Sequence, residues 1–597
     1  MRISGLNYTD LQSRIVRLLS LLVGVAVLTL SWSASRGAEV PDPLAVAKGN
    51  QFVRVPFANA SLGNRILISF EGSMVRTDKA EGYHVLYVGP EEIAKLKEAG
   101  LEVIPSPLDE PGPLRLPGYP CYETVEEINL AAGVMVSTSP GLASLVDIGD
   151  SWEKATGQGG YDLQVLRLGN VQTQGPKPSL FLLCALHARE YATTPLCLAF
   201  AESLLDGYGS DADATWLLDH HEVHILLNGN PDGRKWAESG YFWRKNTNQN
   251  YCSPLSSDRG ADLNRNFPFQ WDCCGGGSDS ECSPTYRGPI PESEPETQAI
   301  VDYMRSIFPD QRGPGLSAAA PADSTGIFID VHAYGELVLW PWGFASSQAP
   351  NAIGLQTLGR KLAYWNQYTP EQSIGLYPVD GASDDFGYGD LGIAAFTLEL
   401  GTTFFQSCSA FEQTIVPDNL PSLLYAAKAA RTPYMSPAGP EVTALALDLE
   451  IAVAGQPVEI LATLDDGLFN QVNGSEPIQA IAGAEYYVDA PPWAAGLAHL
   501  LTPVDGTFDS AAESVSGSID TSGMSAGQHI VFVRGQDGSG NWGVVRAAFI
   551  EIEAPEEVPG LAWIGQVLLG GAVFLTGWWR ALRSYNTRRE HASGAVD

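Results

Sequence analysis

Five nearly unbroken apolar runs alternate with helical patterns through the middle of the chain. Runs of this kind are typical of strands that are covered on both faces of a sheet. They are YDLQVLRLG (161–169), SLFLLCAL (179–186), HEVHILLN (221–228), GIFIDVH (326–332) and AAFTLEL (394–400). Helical periodicity marks residues 192–205, 295–308 and 421–431. Together these patterns predict an α/β domain over residues 119–435, with a mixed, mostly parallel sheet flanked by helices.

Different patterns flank this domain on both sides. Residues 39–118 combine a strand pattern (83–89) with a short helix (90–100) that has Pro near its start and Gly at its end. They predict a small α/β module that ends in a Pro-rich linker. Its position before the linker suggests a prosegment, and a permanent domain is the alternative. Residues 438–555 show short alternating strands with Gly, Asp and Ser turns, which predict an immunoglobulin-like β-sandwich.

The two ends of the chain carry apolar segments with charged flanks. Residues 1–38 have a basic start, an apolar run and a small-residue cleavage context, and they predict a secretory signal, with an uncleaved anchor as the alternative. Residues 561–579 are uncharged and would span roughly 28 Å as a helix. Arginines follow in 580–597, so this tail is expected in the cytoplasm. We expect an exported protein, extracellular, periplasmic or held at the cell surface by a C-terminal anchor. The alternative for 561–579 is a sorting helix that is cleaved off.

Charge and cysteine content narrow the function classes. The net charge of −34 argues against a nucleic-acid partner, because phosphate binding needs clustered Lys and Arg. Eight cysteines in an exported protein permit disulfides. Cys184 and Cys197 lie on apolar segments and are expected to be core thiols. The expected bridge formers share one Gly/Ser-rich stretch: Cys252, Cys273, Cys274 and Cys282.

Candidate chemistry follows three of the predicted strands. His187 and Glu190 come just after the run at 179–186, and His332 and Glu399 end the runs at 326–332 and 394–400. In open α/β sheets, sites form at the carboxyl ends of the strands. Two histidines and one carboxylate are a zinc set that leaves a coordination position open, which is the mark of a catalytic metal. Glu399 is then a carboxylate without ligand duty.

Several longer motifs resemble the zinc carboxypeptidases of the carboxypeptidase A, B and T family. The resemblance covers about residues 119–435, and the WDCCGGGS ending of one motif is most similar to bacterial carboxypeptidase T. The motifs are LHAREY (186–191), FWRKN (242–246), DLNRNFPFQWDCCGGGS (262–278), TYRGPIPESEPET (285–297), IDVHAYGE (329–336), LYPVDGASDDFGYG (376–389) and FTLEL (396–400).

The resemblance implies a catalytic role for each residue of the strand-end group. One Zn²⁺ ion would be held by His187, Glu190 and His332, and it would activate a water molecule. Glu399 would be the general base that takes the water proton. Arg244 would stabilise the oxyanion that develops on the scissile carbonyl.

The resemblance also implies how a substrate would be held. Asn264 and Arg265 would bind its C-terminal carboxylate, and Tyr377 would close over it. Arg189 would contact a more distant substrate residue. Asp384 would form the base of the specificity pocket and favour a C-terminal Lys or Arg, although the T type also accepts apolar ends. The expected partners are therefore peptides or proteins with a free C-terminus.

Two other functions stay open on sequence alone. One is a cell-wall peptide (muropeptide) hydrolase of the same family. The other is a non-catalytic surface binding protein, suggested by the sandwich and the predicted anchor, but the presence of Glu399 and all three ligands argues against it.

Asp262 is expected to hydrogen-bond His187 and fix its tautomer.

Overall fold

The structure is a computed structural model, and it describes residues 51–70, 73–78, 82–105 and 119–555. The predicted signal at 1–38, most of the Pro-rich linker, the apolar segment 561–579 and the tail 580–597 lie outside these residues. Within the described part of the chain, no helix is both long and apolar enough to cross a membrane.

The first described region forms a four-stranded antiparallel sheet in the order β2-β3-β1-β4. Two helices cover it, and Asn59 caps the first by accepting a hydrogen bond from the Leu62 amide at 2.9 Å. Its small apolar core contains Val53, Leu86 and Leu96. The elements are β1 (Gln51–Pro56), α1 (Ala60–Ser69), β2 (Met74–Asp78), β3 (Tyr83–Val88), α2 (Pro90–Glu98) and β4 (Ile104–Pro105).

The central region contains an eight-stranded sheet in the order β11-β10-β12-β9-β7-β8-β6-β5. Strands β8, β7, β9 and β12 run parallel at its centre, and antiparallel pairs extend it on both sides. This confirms the predicted mixed, mostly parallel sheet. The strands are β5 (Ala143–Asp150), β6 (Asp162–Leu168), β7 (Ser179–Cys184), β8 (Glu222–Leu226), β9 (Ile327–His332), β10 (Leu337–Trp340), β11 (Thr369–Gln372) and β12 (Ala394–Glu399).

Helices pack against the central sheet and bury it. Every residue of β7 and β9 is buried, as the unbroken apolar runs predict. The helices are α3 (Val125–Thr138), α4 (Trp152–Ala155), α5 (Thr193–Gly207), α6 (Ala212–His220), α7 (Pro231–Glu238), α8 (Pro295–Ile307), α9 (Ala352–Asn366), α10 (Ser383–Leu391), α11 (Cys408–Ala410) and α12 (Val416–Ala429).

Four disulfides join all eight cysteines. Cys184 and Cys197 are paired with each other, so the expectation that they are core thiols is wrong. The end of β7 packs against α5, which brings the two sulfurs together although both segments are apolar. The other pairs are Cys121–Cys408, Cys252–Cys282 and Cys273–Cys274.

The last described region consists of two sheets with an apolar core between them. The sheet orders are β13-β15-β19-β18 and β14-β21-β20-β16-β17. Val458, Val515 and Ile550 lie in the core. The strands are β13 (Glu441–Leu447), β14 (Ile451–Val453), β15 (Val458–Asp465), β16 (Ile481–Val488), β17 (His499–Leu500), β18 (Thr502–Pro503), β19 (Ala512–Ile519), β20 (Gly527–Asp537) and β21 (Arg546–Glu553).

This sandwich shares an apolar core with the central domain. Phe532 on β20 is fully buried in the same cluster as the residues around the central sheet. The ring centroids of Trp216 on α6 and Trp493 in the sandwich lie 5.4 Å apart. The ammonium of Lys361 on α9 is also fully buried and lies 3.2 Å from the Glu441 carboxylate at the start of β13. The two regions therefore form one packed body through apolar contacts and a buried ion pair.

Glu441→Gln is expected to lower the free energy of unfolding by about 3–5 kcal/mol, because it leaves the Lys361 charge buried without its partner. Urea unfolding followed by tryptophan fluorescence measures the change. Asp390→Asn is the control, since the pair between Arg305 and Asp390 is 42% and 40% exposed and should contribute about 1 kcal/mol at most. Equal effects of the two substitutions would contradict the importance of the buried pair.

Candidate active site

The carboxyl ends of β7, β9 and β12 lie side by side in the sheet and carry the candidate residues. His332 is the last residue of β9, and Glu399, the last residue of β12, is its register partner. His187 follows the end of β7 after a turn in which the Ala185 amide donates a hydrogen bond to Thr193 Oγ1 at 3.0 Å. Parallel pairing of three consecutive strands thus brings residues that are more than 200 positions apart in the sequence to one edge.

His187, Glu190 and His332 form one buried group. Their possible ligand atoms all lie within 4.8 Å of one another. Nδ1 of His187 is 2.9 Å from Oε1 of Glu190, and Nδ1 of His332 is 3.0 Å from Oε2 of Glu190. In the part of the chain that the structure describes, these are the residues grouped closely enough to hold a metal ion.

Both histidines direct their second ring nitrogen to a buried carboxylate. Nε2 of His187 lies 3.0 Å from Oδ1 of Asp262, and Nε2 of His332 lies 2.9 Å from Oδ2 of Asp330. Such contacts fix the tautomer that leaves Nδ1 available as a ligand. The sequence analysis did not single out Asp330. It could have been found from the strand periodicity, because residues two apart in a strand point to the same face.

The charges in this group are strongly coupled. Burial alone would raise the pKa of Glu190, but the facing His187 and His332 lower it far below its ordinary value. Burial alone would lower the pKa of His332, but Asp330 and Glu190 raise it well above its ordinary value. The group therefore concentrates negative charge that a cation in its centre would neutralise.

Two arginines converge on Asp262 from different segments. Nη2 of Arg244 donates a hydrogen bond to Oδ2 of Asp262 at 2.9 Å, and Nη1 of Arg265 lies 3.8 Å from the same oxygen. Arg244, His187 and Arg265 together keep the pKa of Asp262 well below its ordinary value, against the effect of burial. Asp262 thus links the histidine ligand to two cations that line the cleft.

Asn264 and Tyr377 also line this cleft. Oδ1 of Asn264 accepts a hydrogen bond from the Ser383 amide at 2.9 Å, and Nδ2 lies 3.2 Å from Nε2 of His332. Oδ1 of Asn264 is therefore engaged by the protein, and its amide nitrogen is the donor that a ligand in the cleft could use. Tyr377 is half-buried, and its ring centroid is 5.8 Å from Cζ of Arg265.

Asp384 and Asp385 have different surroundings at the start of α10. Asp384 lines the cleft, and its Oδ2 accepts a hydrogen bond from the Ser373 hydroxyl at 2.8 Å. Asp385 accepts hydrogen bonds from the amides of Gly343 and Phe344 at 3.0 and 3.2 Å. Burial raises the pKa of both carboxyls. Asp385 supports the backbone, whereas Asp384 lines the cleft and also accepts a hydrogen bond from the Asp385 amide at 2.8 Å.

Arg189 is almost fully buried between two aromatic rings. Its Cζ lies 4.4 Å from the ring centroid of Phe242 and 4.3 Å from that of Phe404. Phe404 lines the cleft together with Tyr334, and their ring centroids are 4.8 Å apart. The sequence analysis did not include these two aromatic residues, because isolated aromatics on a loop are more often packing residues.

Comparison with known proteins connects this arrangement to one family. The model of the zinc carboxypeptidase family matches residues 131–419. Carboxypeptidase A2 from Rattus norvegicus is 31% identical over 312 residues, which cover 50% of this chain and 67% of that protein. Carboxypeptidase B2 from Bos taurus is 31% identical over 47% of this chain and 63% of that protein. The chain belongs to the zinc carboxypeptidase family.

A bacterial relative and a solved structure extend this comparison. The zinc carboxypeptidase of Saccharothrix mutabilis subsp. capreolus is 30% identical over 47% of this chain and 62% of that protein. The chain thus spans about three fifths of the length of these curated relatives. The carboxypeptidase A structure from Helicoverpa armigera has a TM-score of 0.53 and 22% sequence identity, and covers 64% of this chain and 98% of that one. That likeness supports the zinc carboxypeptidase fold.

The group formed by His187, Glu190 and His332 fits the zinc ion of the family. Two imidazole nitrogens and one carboxylate are ligands that zinc prefers. Both histidines already present Nδ1 to the centre of the group, and their Nε2 atoms are anchored on Asp262 and Asp330. The residues present therefore fit one zinc ion.

A second buried network holds the segment that carries Arg244. The Asn246 side chain donates hydrogen bonds to Glu294 at 2.8 Å and Glu296 at 3.1 Å. It also accepts one from the Ala261 amide at 2.8 Å, next to Asp262. Asn246 therefore ties two irregular segments of the zinc carboxypeptidase site, those that carry Arg244 and Asp262, to the start of α8.

This network is expected to make stability depend on pH. Burial and the neighbouring Glu294 raise the pKa of Glu296 from its ordinary 4.5 to about 8. Between these values the native state holds a proton on Glu296 that the unfolded state has lost. The contribution of Glu296 to stability is therefore greatest in acid and falls as the pH rises towards 8, by at most roughly 1.4 kcal/mol per pH unit. Glu296→Gln should remove this part of the change of the unfolding free energy with pH. Urea unfolding at several pH values from about 5 to about 8 measures it.

The exposed Glu412 supplies the control for this prediction. Glu412→Gln should keep the wild-type slope because its side chain remains in water. The readout is the slope with pH, which separates the proton effect from any constant cost of placing an amide beside Asn246. An unchanged slope in Glu296→Gln would show that another group causes the pH dependence.

Proposed function

We propose that the protein is an exported zinc carboxypeptidase that removes the C-terminal residue of peptides and proteins. One observation carries the proposal: a single cleft is lined by Glu399, by the guanidinium groups of Arg244 and Arg265, and by the residues that would hold a metal. We call these residues the metal-type group, and they are His187, Glu190 and His332. A free peptide C-terminus offers a carboxylate for an arginine and a carbonyl beside it for the metal.

Each residue in the cleft has a role that follows from its chemistry. A bound zinc ion would polarise the scissile carbonyl and make its water ligand more acidic. Glu399, beside His332 in the register of β9 and β12, would take the proton of the attacking water and pass it to the leaving amine. Arg244, oriented by Asp262, would stabilise the negative charge that develops on the carbonyl oxygen.

Recognition of the chain end would involve Arg265, Asn264 and Tyr377. The guanidinium of Arg265 can bind a carboxylate with two parallel hydrogen bonds. Asn264 would add a hydrogen bond through the part of its amide that faces the cleft, and Tyr377 would cover the bound residue. Arg189 packs between the rings of Phe242 and Phe404. It would act on a more distant part of the peptide indirectly, by supporting these rings.

A pair of peptides tests the proposed function directly. Peptides of one sequence with either a free or an amidated C-terminus are incubated with the protein, and released residues are measured by mass spectrometry. We expect removal of single residues from the free-acid peptide only. Cleavage of both peptides at equal rates would contradict the role of Arg265, and cleavage of neither in the presence of zinc would contradict the function.

The residue preference is expected to depend on Asp384. Its carboxylate would pair with a C-terminal Lys or Arg, so Asp384→Asn should lower kcat/KM for these ends by roughly 10- to 100-fold. Peptides that end in Phe serve as the internal control and should change little. Because burial raises the pKa of Asp384, the preference for basic ends should grow as the pH rises and weaken in acid. A parallel loss for Lys, Arg and Phe would mean that Asp384 has a structural role.

Export, membrane anchoring and processing complete the proposal. The signal-like residues 1–38 support export, and the apolar residues 561–579 with the arginines of 580–597 support a C-terminal anchor. Tyr334, which lines the cleft, packs against the apolar core of the module in 51–105, and this contact supports a prosegment role. N-terminal sequencing of the mature protein tests the last point. No observation favours the cell-wall peptide alternative.

A further inference from the structure

The loop that carries the vicinal disulfide Cys273–Cys274 is fixed to the loop that carries Tyr377. Oδ2 of Asp380 accepts hydrogen bonds from three consecutive amides, those of Cys274 at 3.1 Å, Gly275 at 3.0 Å and Gly276 at 3.1 Å. Asp380 is only 1% exposed. A carboxylate that is buried on a row of amides is a specific arrangement, because each amide must point at one oxygen.

The same loop holds the guanidinium of Arg265. Nε of Arg265 donates a hydrogen bond to the Gly276 carbonyl at 2.9 Å. The Gly276 amide is one of the three that bind Asp380, so one peptide segment contacts both side chains. A Cβ atom on Gly276 would lie 2.5 Å from Cα of Val379, which shows how closely the two loops approach.

A second contact joins the two loops on the other side of Asp380. The Phe267 amide donates a hydrogen bond to the Gly381 carbonyl at 3.0 Å. Gly381 has a φ of +66°, and a Cβ atom there would lie 2.5 Å from the Arg265 carbonyl oxygen. The segment from Asp380 to Gly381 is thus packed between the residues that flank Arg265.

We propose that Asp380 is a positioning residue for recognition of the substrate's C-terminal carboxylate. It fixes the Cys273–Gly276 loop, whose carbonyl fixes Arg265, and at the same time it fixes the loop that presents Tyr377. Arg265 and Tyr377 are thereby held at one mutual distance, with Cζ of Arg265 5.8 Å from the ring. The disulfide between Cys273 and Cys274 restricts the same loop next to its three bonding amides. This inference rests on the proposed carboxypeptidase function.

Loss of this contact should affect substrate binding more than the chemical step. Asp380 touches neither the metal group nor Glu399 in its hydrogen bonds, which all go to the Cys274–Gly276 amides. In Asp380→Ala the Gly276 carbonyl would no longer be held, and a shift of the Arg265 guanidinium by about 1 Å can weaken a positioned interaction by up to roughly 100-fold. We therefore expect KM for free-acid peptides to rise about 10- to 100-fold, with a smaller change in kcat.

The test compares Asp380→Ala and Asp380→Asn with wild type and with Asp279→Ala. Asp279 is an exposed residue of the same loop region, and its variant should behave like wild type. The measurements are KM and kcat for a free-acid peptide, the inhibition constant of the released amino acid, and that of acetohydroxamate. Acetohydroxamate binds zinc but has no carboxylate for Arg265, so its inhibition constant should stay unchanged.

The outcomes separate this inference from the proposed function. If wild type cleaves the peptide and Asp380→Ala keeps its KM, Asp380 has no positioning role and the function stands. If the affinity for acetohydroxamate falls as much as that for the amino acid, the effect is general damage and the inference is wrong. If wild type neither cleaves the peptide nor binds the amino acid, the function fails and the inference with it.

Two further variants keep the test decisive if Asp380→Ala does not fold. Asp380→Asn has the same shape and keeps one oxygen that can accept hydrogen bonds from all three amides, so its KM should stay within a few-fold of wild type, and a rise of roughly 10- to 100-fold would overturn the inference. The double variant Cys273→Ser with Cys274→Ser leaves Asp380 in place and loosens the loop. It should raise KM in the same direction without changing the inhibition constant of acetohydroxamate.

Discussion

Glu399→Gln is expected to lower kcat by roughly 10²- to 10⁴-fold while zinc stays bound, because the amide cannot accept the proton of the attacking water. Glu399 is the register partner of His332 but is not part of the metal-type group. The substitution should therefore leave the ligand set intact. Turnover of a free-acid peptide and the zinc content of the purified variant are the two measurements.

The control for this prediction is Glu336→Gln. Glu336 is an exposed carboxylate on the turn between β9 and β10, close to the same edge of the sheet. Its substitution removes one negative charge near the cleft and should leave kcat within about twofold of wild type. Comparable losses in both variants would point to a general electrostatic effect and against Glu399 as the base.

Removal of zinc is expected to abolish activity, and stoichiometric zinc should restore it. The residues that would hold the ion come from two strand ends, and the Glu190 carboxylate lies between the His187 and His332 rings. Zinc that binds only the native state also raises its stability, by about 2.7 kcal/mol at a hundredfold excess over the dissociation constant. Activity and melting temperature before and after chelation, and after zinc addition, measure both effects.

Two histidine variants complete this experiment. His332→Ala should lack activity and should show little gain in melting temperature with zinc, because one of the three ligands is gone. His499→Ala is the matched control, since His499 is exposed on β17 and stacks only on Tyr486. Retention of zinc-dependent activity in His332→Ala would contradict the assigned ligand set.

The strands that form the site could be predicted from the sequence because they are buried on both faces. The runs at 179–186, 326–332 and 394–400 correspond to β7, β9 and β12. An unbroken apolar run is a local signal that does not depend on which strands become neighbours. The position of the candidate residues at the ends of these runs was therefore visible before the sheet order was known.

Features that depend on distant contacts could not be predicted in this way. Strand periodicity places Asp330 on the same face as His332, but its 2.9 Å contact with Nε2 of His332 depends on the rotamer of that histidine. The link between Cys121 and Cys408 spans 287 positions, and no spacing rule indicates it. The apolar periodicity of helix α3 is weak, because Leu130 is an apolar residue on its solvent side and is 66% exposed.

The close packing of the sandwich against the central domain also has a consequence for truncation of the chain. Here Trp216 and Lys361 of the central domain are buried against the half-buried Trp493 and the buried Glu441 of the sandwich. Loss of the sandwich would expose the ring of Trp216 and the ammonium of Lys361, which are buried in the structure. The sandwich is therefore part of the packed body of the central domain, and a chain cut before β13 is expected to be less stable and less soluble than the uncut chain.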